Sequence, residues 1–183
     1  ESWKEGFVIL LDVVGWSSKL HRLDTNETPQ FMRKVNEYLL SHFDNPVVSV
    51  VTGTGDGFYL AYEGEPTDER FQMVIDACTK LAKNRPTFFE LGVTSPAIKE
   101  ERIIVRSAIG YGRYYAGLAK TVHLKKDFLA GFIATLLARV IGNEEDPKGP
   151  RILLGSVLDK YRGQRPTFTQ VTKGEKVEYW LAN

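Results

Sequence analysis

Two aspartates, each next to an apolar segment, are the residues of this chain with the clearest potential for chemistry. Asp12 ends the apolar run FVILLD, and Asp56 lies in the glycine-rich stretch VTGTGDGF. Divalent cations such as Mg²⁺ prefer oxygen ligands and usually take only one or two protein carboxylates, with phosphate oxygens and water completing the shell. If the fold brings the two side chains together, they make a site for Mg²⁺ or Mn²⁺ and for the nucleoside triphosphates that such cations accompany.

The glycines around Asp56 do not form a common nucleotide-binding fingerprint. The segment GTGDG is followed by the strand-like FYLAY rather than by a helix, which excludes a dinucleotide fingerprint. It also lacks the Gly-Lys-Ser/Thr of a P-loop. Together with Gly15, these glycines would instead let phosphate groups approach backbone amides. A simpler interpretation stays open for each aspartate, with Asp12 as a helix or turn cap and Asp56 as an ordinary hairpin residue.

The elements that must position the aspartates can be predicted from the apolar pattern. Continuous apolar runs bounded by turns indicate strands, and apolar residues at steps of three and four indicate helices. The first half of the chain is predicted to form a strand over 7–13, a helix over 30–43, a hairpin of strands 47–51 and 58–62, and a helix around 71–84. An irregular excursion over 86–101 follows, and then a strand over 103–109 that leads into a turn and another strand. The last predicted elements are a helix over 131–140 and late strands over 152–154 and 177–181.

This order is β-α-β-β-α-β with an appended α/β tail, which predicts one α+β domain over residues 1–183 with a ferredoxin-like core. In a right-handed β-α-β unit the first two strands are parallel, so their carboxyl ends point the same way. The hairpin after the second strand then turns beside the end of the first. We therefore expect Asp12 and Asp56 to converge.

The composition excludes several classes of protein. The 183 residues are 43% hydrophobic and 26% charged, which is typical of a soluble globular domain. A net charge of +1 gives no reason to expect nucleic acid or an anionic membrane as a partner. The longest apolar run is far shorter than the roughly 20 residues of a membrane span. No secretion signal opens the chain and its single cysteine cannot form an internal disulfide, so we expect a cytoplasmic location.

Five segments, taken in order, resemble the signature blocks of class III nucleotide cyclases. They extend from residue 6 to 181 with the spacing of that family, and they read FVILLDVVGWS, VVTGTGDGFYLAY, IIVRSAIGYGRYYAG, GFIATLLARVIG and VTKGEKVEYWL. The resemblance implies the α+β cyclase fold and a head-to-tail homodimer with two composite active sites. In such a dimer, one subunit supplies the metal-binding aspartates and the other supplies most contacts to the nucleotide.

Carried over by position, the resemblance makes Asp12 and Asp56 the ligands of two Mg²⁺ or Mn²⁺ ions, with the backbone carbonyl of Val13 as a helper. The implied reaction is attack of the ribose 3′-oxygen on the α-phosphorus with loss of pyrophosphate, a phosphorus–oxygen lyase reaction. It needs no covalent intermediate, and none of these residues has to act as a nucleophile.

Three basic residues match positions of the family that contact phosphates. Arg139 matches the arginine that stabilises the charge of the transition state. Arg113 and Lys173 match positions that contact the triphosphate. For all three, an ordinary solvated role on the surface stays open.

Three other positions depart from the purine cyclases of the family. Thr52 stands where adenylate cyclases have a base-reading lysine and guanylate cyclases a glutamate. Phe128 stands where adenylate cyclases have an aspartate (or a threonine) and guanylate cyclases have a cysteine. Thr135 replaces the asparagine that holds the ribose, four positions before Arg139.

The changes at the two base positions favour a pyrimidine substrate. An unpaired buried polar group costs ~1–3 kcal/mol, so a pocket without the polar readers loses its preference for a purine. Phe128 offers a stacking face in a smaller pocket, and Thr52 offers a hydroxyl that can donate or accept. The combination resembles the pyrimidine cyclases of bacterial anti-phage (Pycsar) signalling, which make cyclic UMP or cyclic CMP. UTP is favoured slightly over CTP as the substrate.

Alternatives remain at this level. A shift of the alignment by one residue would make Phe128 a core aromatic and Asp127 the base reader. Separately, the chain could be an adenylate or guanylate cyclase with atypical contacts to the base. A catalytically silent module that binds nucleotide and regulates a partner is favoured by Thr135 and opposed by both aspartates and Arg139.

Among the remaining residues, Cys78 is predicted to pack on the apolar face of its helix. The cluster of Lys120, Lys125 and Lys126 is predicted to lie in a solvated loop or at a helix start.

Overall fold

The computed structural model describes residues 2–44, 48–51, 57–120, 125–153, 168–173 and 177–182. The described strands are β1 (Ser2–Val13), β2 (Val48–Val51), β3 (Gly57–Glu63), β4 (Val105–Lys120), β5 (Lys125–Ala130), β6 (Arg151–Leu153), β7 (Phe168–Lys173) and β8 (Val177–Ala182). The described helices are α1 (Trp16–Arg22), α2 (Thr28–Leu40), α3 (Asp68–Lys83) and α4 (Phe132–Val140). No helix among these residues is long and apolar enough to cross a membrane.

The strands form one mixed sheet in the order β2-β3-β1-β4-β6-β8-β7, with β5 paired to the far half of β4. The first four strands of this order have the ferredoxin-like arrangement, which confirms the predicted α+β core. Both β1 and β2 are antiparallel to β3, which lies between them, so they run parallel to each other as expected. The tail extends the sheet, since β6 pairs parallel to β4 and β8 then pairs antiparallel to β6.

The sheet has a hydrophobic core on each face, which explains why β1 reads as a continuous apolar run. Phe7, Ile9 and Leu11 belong to a large cluster with residues of α1, α2 and α3. Val8 and Leu10, on the opposite face, belong to a smaller cluster with residues of α4. The alternation along β1 therefore places Asp12 on the same face of the sheet as α4.

One prediction about the sheet is wrong. The glycines after residue 109 predicted a turn and a second strand, but β4 continues without a break to Lys120. The reason is packing against α4, because a Cβ atom at Gly110 would lie 2.6 Å from Cδ1 of Ile133. Gly112 also faces Ile133, at an ordinary contact distance. At Gly110 the missing side chain makes room for the helix rather than permitting a turn.

The lysine cluster is also placed differently from its prediction. Lys120 is the last residue of β4, and Lys125 and Lys126 are the first two residues of β5. The three lysines therefore lie in strands rather than in a solvated loop or at a helix start. The irregular excursion is confirmed, with turns and a single bridge between Thr87 and Arg102. The packing role of Cys78 is confirmed too, since its side chain is buried in α3.

Candidate functional site

Asp12 lies one residue before the end of β1, between two neighbouring strands. In the register of the sheet, it pairs with Gly57 of β3 on one side and with Arg106 of β4 on the other. Gly57 directly follows Asp56 in the sequence. Asp56 itself and Thr52 lie outside the described residues, so the predicted meeting of the two carboxylates stays a prediction.

The Asp12 carboxylate is held by an ion pair that the sequence analysis did not identify. Nη2 of Arg106 lies 2.6 Å from Oδ2 of Asp12, and the two side chains are 14% and 18% exposed. Nη1 of Arg106 donates a hydrogen bond of 3.3 Å to the backbone carbonyl of Glu144. Ion pairs of this burial fix the orientation of the carboxylate, because each partner would be poorly solvated alone.

A pocket of about 210 Å³ opens beside this ion pair, between the end of β1 and the start of α1. The polar residues among its lining are Asp12, Arg106 and two serines of α1. The lining residues are Asp12, Val13, Gly15, Trp16, Ser17, Ser18 and Arg106. The pocket therefore combines hard oxygen donors with one guanidinium, which is a suitable lining for a cation and an anionic group side by side.

The turn that shapes this pocket depends on Gly15 and Trp16. Gly15 has φ 72°, a left-handed conformation that glycine adopts without strain, and it directly precedes α1. Trp16 is 2% exposed and packs against Phe31 and Phe58, with ring centroids 4.9 and 5.8 Å away. Because Phe58 belongs to β3, this contact ties the turn after Asp12 to the strand that follows Asp56.

A buried lysine supports the same turn from below. Nζ of Lys19 donates a hydrogen bond of 3.1 Å to the backbone carbonyl of Val14, and the residue is only 8% exposed. Its ammonium group also lies 5.7 Å from the centre of the Phe88 ring. Burial lowers the pKa of Lys19 from its ordinary value of 10.5. The lysine holds the backbone next to Val13 in place.

The two predicted catalytic side chains of α4 are exposed. Thr135 lies in the first turn of this helix and Arg139 in the last, four residues further on, so both project from one face. The Thr135 hydroxyl makes a long contact of 3.5 Å with the carbonyl of Gly131. The hydroxyl of Tyr59 donates to the carbonyl of Ala134 at 2.9 Å, which anchors α4 on β3.

The other predicted contacts to substrate lie on strands. Arg113 is exposed on β4, with its guanidinium 5.6 Å from the centre of the Trp3 ring. Phe128 is in β5 and pairs with Gly117 of β4 in the register of the backbone. Lys173 is the last residue of β7. For Phe128 and Lys173 the structure describes the backbone position alone.

Within one chain, the structure brings together only part of the predicted site. Asp12 and Val13 line the pocket, whereas none of its described lining residues comes from α4 or from position 113. Arg106 is the residue that sequence reasoning missed. A signal was available, because an arginine inside the otherwise apolar and small segment IIVRSAIG needs a partner when the strand is buried.

The donor set fits a divalent cation of the Mg²⁺ class. Asp12 supplies a partly exposed carboxylate in an open pocket, which suits a cation that keeps water and phosphate oxygens as its remaining ligands. Among the described residues, no cluster of three or more His, Cys, Asp or Glu side chains could hold a metal ion. A cage made entirely by such side chains is therefore not present in that part of the chain.

No protein-family model and no curated protein matches the sequence, but solved structures match over nearly the whole chain. A bacterial light-regulated adenylyl cyclase is similar with a TM-score of 0.62 and 15% identity, over 100% of this chain and 92% of that chain. The non-canonical dimeric guanylyl cyclase domain of the RhoGC fusion protein from the fungus Blastocladiella emersonii has a TM-score of 0.62 and 14% identity, over 99% and 98% of the two chains.

A third structure contains a nucleotide. The guanylate cyclase domain of RhGC from Catenaria anguillulae, solved in complex with GTP, has a TM-score of 0.59 and 14% identity, over 98% of this chain and 97% of that chain. Identities at this level show a shared fold rather than a shared activity. The chain has the fold of the adenylyl and guanylyl cyclase domains, as the resemblance of its five segments implied.

Proposed function

We propose that the chain is a metal-dependent nucleotide cyclase that converts a pyrimidine nucleoside triphosphate, UTP ahead of CTP, into the 3′,5′-cyclic monophosphate and pyrophosphate. The observation that carries the proposal is the position of Asp12. Its carboxylate lies in an open pocket at a strand end, beside the position that follows Asp56, in a fold shared with adenylyl and guanylyl cyclase domains.

Asp12, Asp56 and the carbonyl of Val13 would hold the Mg²⁺ or Mn²⁺ ions, two per site. When bound there, the cations supply positive charge that activates the 3′-hydroxyl and neutralises the triphosphate. The 3′-oxygen forms a bond to the α-phosphorus, its proton leaves, and the bond from the α-phosphorus to the bridging oxygen breaks as pyrophosphate departs with the electron pair. The exposed guanidinium of Arg139 stabilises the negative charge that accumulates on the phosphate oxygens.

The site is proposed to be composite, with Thr135, Arg139 and the phosphate contacts Arg113 and Lys173 coming from a second copy of the chain. Two observations support this arrangement. The described lining of the Asp12 pocket contains no residue of α4, although Thr135 and Arg139 are exposed and free to face a partner. The similar guanylyl cyclase domain of Blastocladiella emersonii forms a dimer, described as non-canonical, so it supports the pairing of two copies.

The pyrimidine specificity rests on Thr52 and Phe128. Their side chains replace the polar groups that read a purine, which leaves a hydroxyl and an aromatic ring for a smaller base. Phe128 pairs in register with Gly117, so the strand position opposite it carries no side chain. The resemblance to the Pycsar enzymes supports a role for the product as a second messenger in antiviral defence, inside the cytoplasm.

A complementation assay tests the composite site. Asp56→Ala should abolish turnover and Arg139→Ala should leave about a thousandth of it as homodimers, because each homodimer lacks the same group in both sites. Mixing the two should restore part of the activity, because one interface of the mixed dimer has both groups intact. Mixing Asp56→Ala with Asp12→Ala is the matched control and should restore nothing. Inactivity in mixed dimers whose assembly has been verified would contradict a composite site.

A further inference from the structure

A continuous chain of charged contacts leads from Asp12 to the end of α4. Its first link is the ion pair between Asp12 and Arg106, at 2.6 Å. Nη1 of Arg106 then donates a hydrogen bond of 3.3 Å to the backbone carbonyl of Glu144. The carboxylate of Glu144 in turn forms an ion pair with Arg151, with Oε1 2.9 Å from Nη2. The last link is a hydrogen bond of 2.9 Å from Nη1 of Arg151 to the carbonyl of Val140, the last residue of α4.

Both arginines are held tightly along this path. Their side chains are 14% and 10% exposed, so each guanidinium depends on its protein contacts for solvation. Arg151 also lies over the ring of Tyr179, with its guanidinium carbon 4.9 Å from the ring centre. A contact that either guanidinium loses is poorly replaced by solvent, so a change at one arginine alters its remaining contacts. The Glu144 carboxylate between the two arginines is 45% exposed.

Arg151 contacts the carboxyl end of α4 directly. The guanidinium donates to one of the carbonyls that a helix leaves unsatisfied at its carboxyl end, where a cation is also favoured by the helix dipole. Gly142 follows with φ 69°, and a side chain at that position would collide with the guanidinium. Arg139 lies one residue before Val140, so the position of Arg151 bears directly on the segment that carries it.

We propose that Arg106 and Arg151 are positioning residues that join the Asp12 end of the cation site to the end of α4. This inference rests on the proposed function, in which Asp12 binds the cation and Arg139 acts on the phosphate. The cation and Arg106 share one carboxylate. Cation binding therefore weakens the hold of Asp12 on Arg106, and the change reaches Arg139 through Glu144 and Arg151.

In a composite dimer, Asp12 and Arg139 of one chain serve different active sites. The contact chain then couples the two sites, because occupancy of one cation site alters the helix that delivers an arginine to the other. Coupling of this kind has typical magnitudes of about 5- to 150-fold in an equilibrium constant.

Amide hydrogen exchange of the 183-residue chain, with and without Mn²⁺ and in the absence of nucleotide, tests the proposal. The readout is the end of α4, where the amide of Ile141 donates to the carbonyl of Leu137 at 3.0 Å. In the wild type, Mn²⁺ should speed exchange over residues 138–142 by about 5-fold. In Glu144→Gln, where the ion pair to Arg151 is lost, Mn²⁺ should still bind and exchange over this segment should no longer respond.

Lys148→Gln is the matched control, because it removes an exposed ion pair with Asp146 in the same segment. It should respond to Mn²⁺ as the wild type does. Glu144 is 45% exposed, so the test does not depend on a variant of a buried arginine that fails to fold. Turnover per mole of folded protein should also fall in Glu144→Gln with little change in KM for the nucleotide, and this normalisation separates the effect from a loss of stability.

Two results would overturn the coupling. One is a wild type that binds Mn²⁺, measured by the loss of free Mn²⁺ signal, without faster exchange over residues 138–142. The other is a Glu144→Gln variant that keeps the full response. Either can occur in a protein that makes a cyclic nucleotide, so the coupling can fail while the proposed function stands. Absence of any cyclic product from the wild type would instead contradict the proposed function on which the inference rests.

Discussion

Replacing Asp12 with alanine should weaken the fold and abolish turnover, and a second substitution should separate the two effects. The structural part follows from Arg106, which is 14% exposed and would lose a carboxylate at 2.6 Å. Removing one partner of a fully buried ion pair costs about 3–5 kcal/mol, whereas an exposed pair contributes about 0–1 kcal/mol. Arg106 keeps its hydrogen bond to the carbonyl of Glu144, so we expect a loss of about 2–3 kcal/mol in the free energy of unfolding.

The second substitution removes the unpaired charge. Arg106→Met in the Asp12→Ala background should recover about 1–2 kcal/mol, since residues in one ion pair are not additive. Activity should remain absent in the double variant, because the carboxylate proposed to bind the cation is still missing. Glu63→Ala is the control for an ion pair on the surface, because Glu63 pairs with Lys4 and the two side chains are 50% and 29% exposed. It should lower the free energy of unfolding by less than about 1 kcal/mol.

Urea unfolding at equal protein concentrations gives the stabilities, and Trp16, which is 2% exposed, provides a fluorescence signal that changes when the core opens. Product formation with Mn²⁺ gives the activities. A loss below about 1 kcal/mol in Asp12→Ala would refute the ion-pair argument. Undiminished turnover in the same variant would refute the assignment of Asp12 as a cation ligand.

Three further predictions concern other residues. Arg139→Ala should lower kcat by about 10³-fold with little change in stability, because its side chain is exposed and acts on the transition state; kinetics and urea unfolding check both parts. Burial raises the pKa of Tyr62 and of Tyr114 from 10.0 to about 12. As the pH rises, the unfolded chain therefore releases these protons before the folded chain does, and the free energy of unfolding should fall between about pH 10 and pH 12. The expected loss is about 1 kcal/mol per tyrosine at pH 11. Urea unfolding of Tyr62→Phe and of the wild type across this pH range checks the prediction. Burial also raises the pKa of the Cys78 thiol to about 12, so a thiol reagent at pH 8 should label the native protein far more slowly than the urea-unfolded chain, and equal labelling rates would contradict the burial.

The core of the fold was predictable because each of its elements has a clear local pattern. The apolar run of β1 is buried on both faces of the sheet, and the apolar residues of α3 recur with a helical period. From that order, the parallel relation of β1 and β2 followed by topology alone. Helix α1 was missed because its seven residues are too few to show a period.

The errors arose where a residue serves a distant contact. Gly110 reads as a turn residue, but its role is to admit Ile133 of α4. The ion pair of Asp12 with Arg106 depends on the register of two strands, which no local pattern contains. For the same reason, the sequence identified Asp12 from its position at a strand end but could not show that a guanidinium already holds it.

The most direct test of the central claim is to incubate the purified protein with Mn²⁺ and each of ATP, GTP, CTP and UTP separately, and to resolve the products by mass. We expect a cyclic pyrimidine nucleotide and pyrophosphate, with more product from UTP than from CTP. A cyclic purine as the main product would show that the interpretation of Thr52 and Phe128 is wrong. No cyclic product from any of the four nucleotides, in a folded protein that binds Mn²⁺, would contradict the claim that the chain is a cyclase.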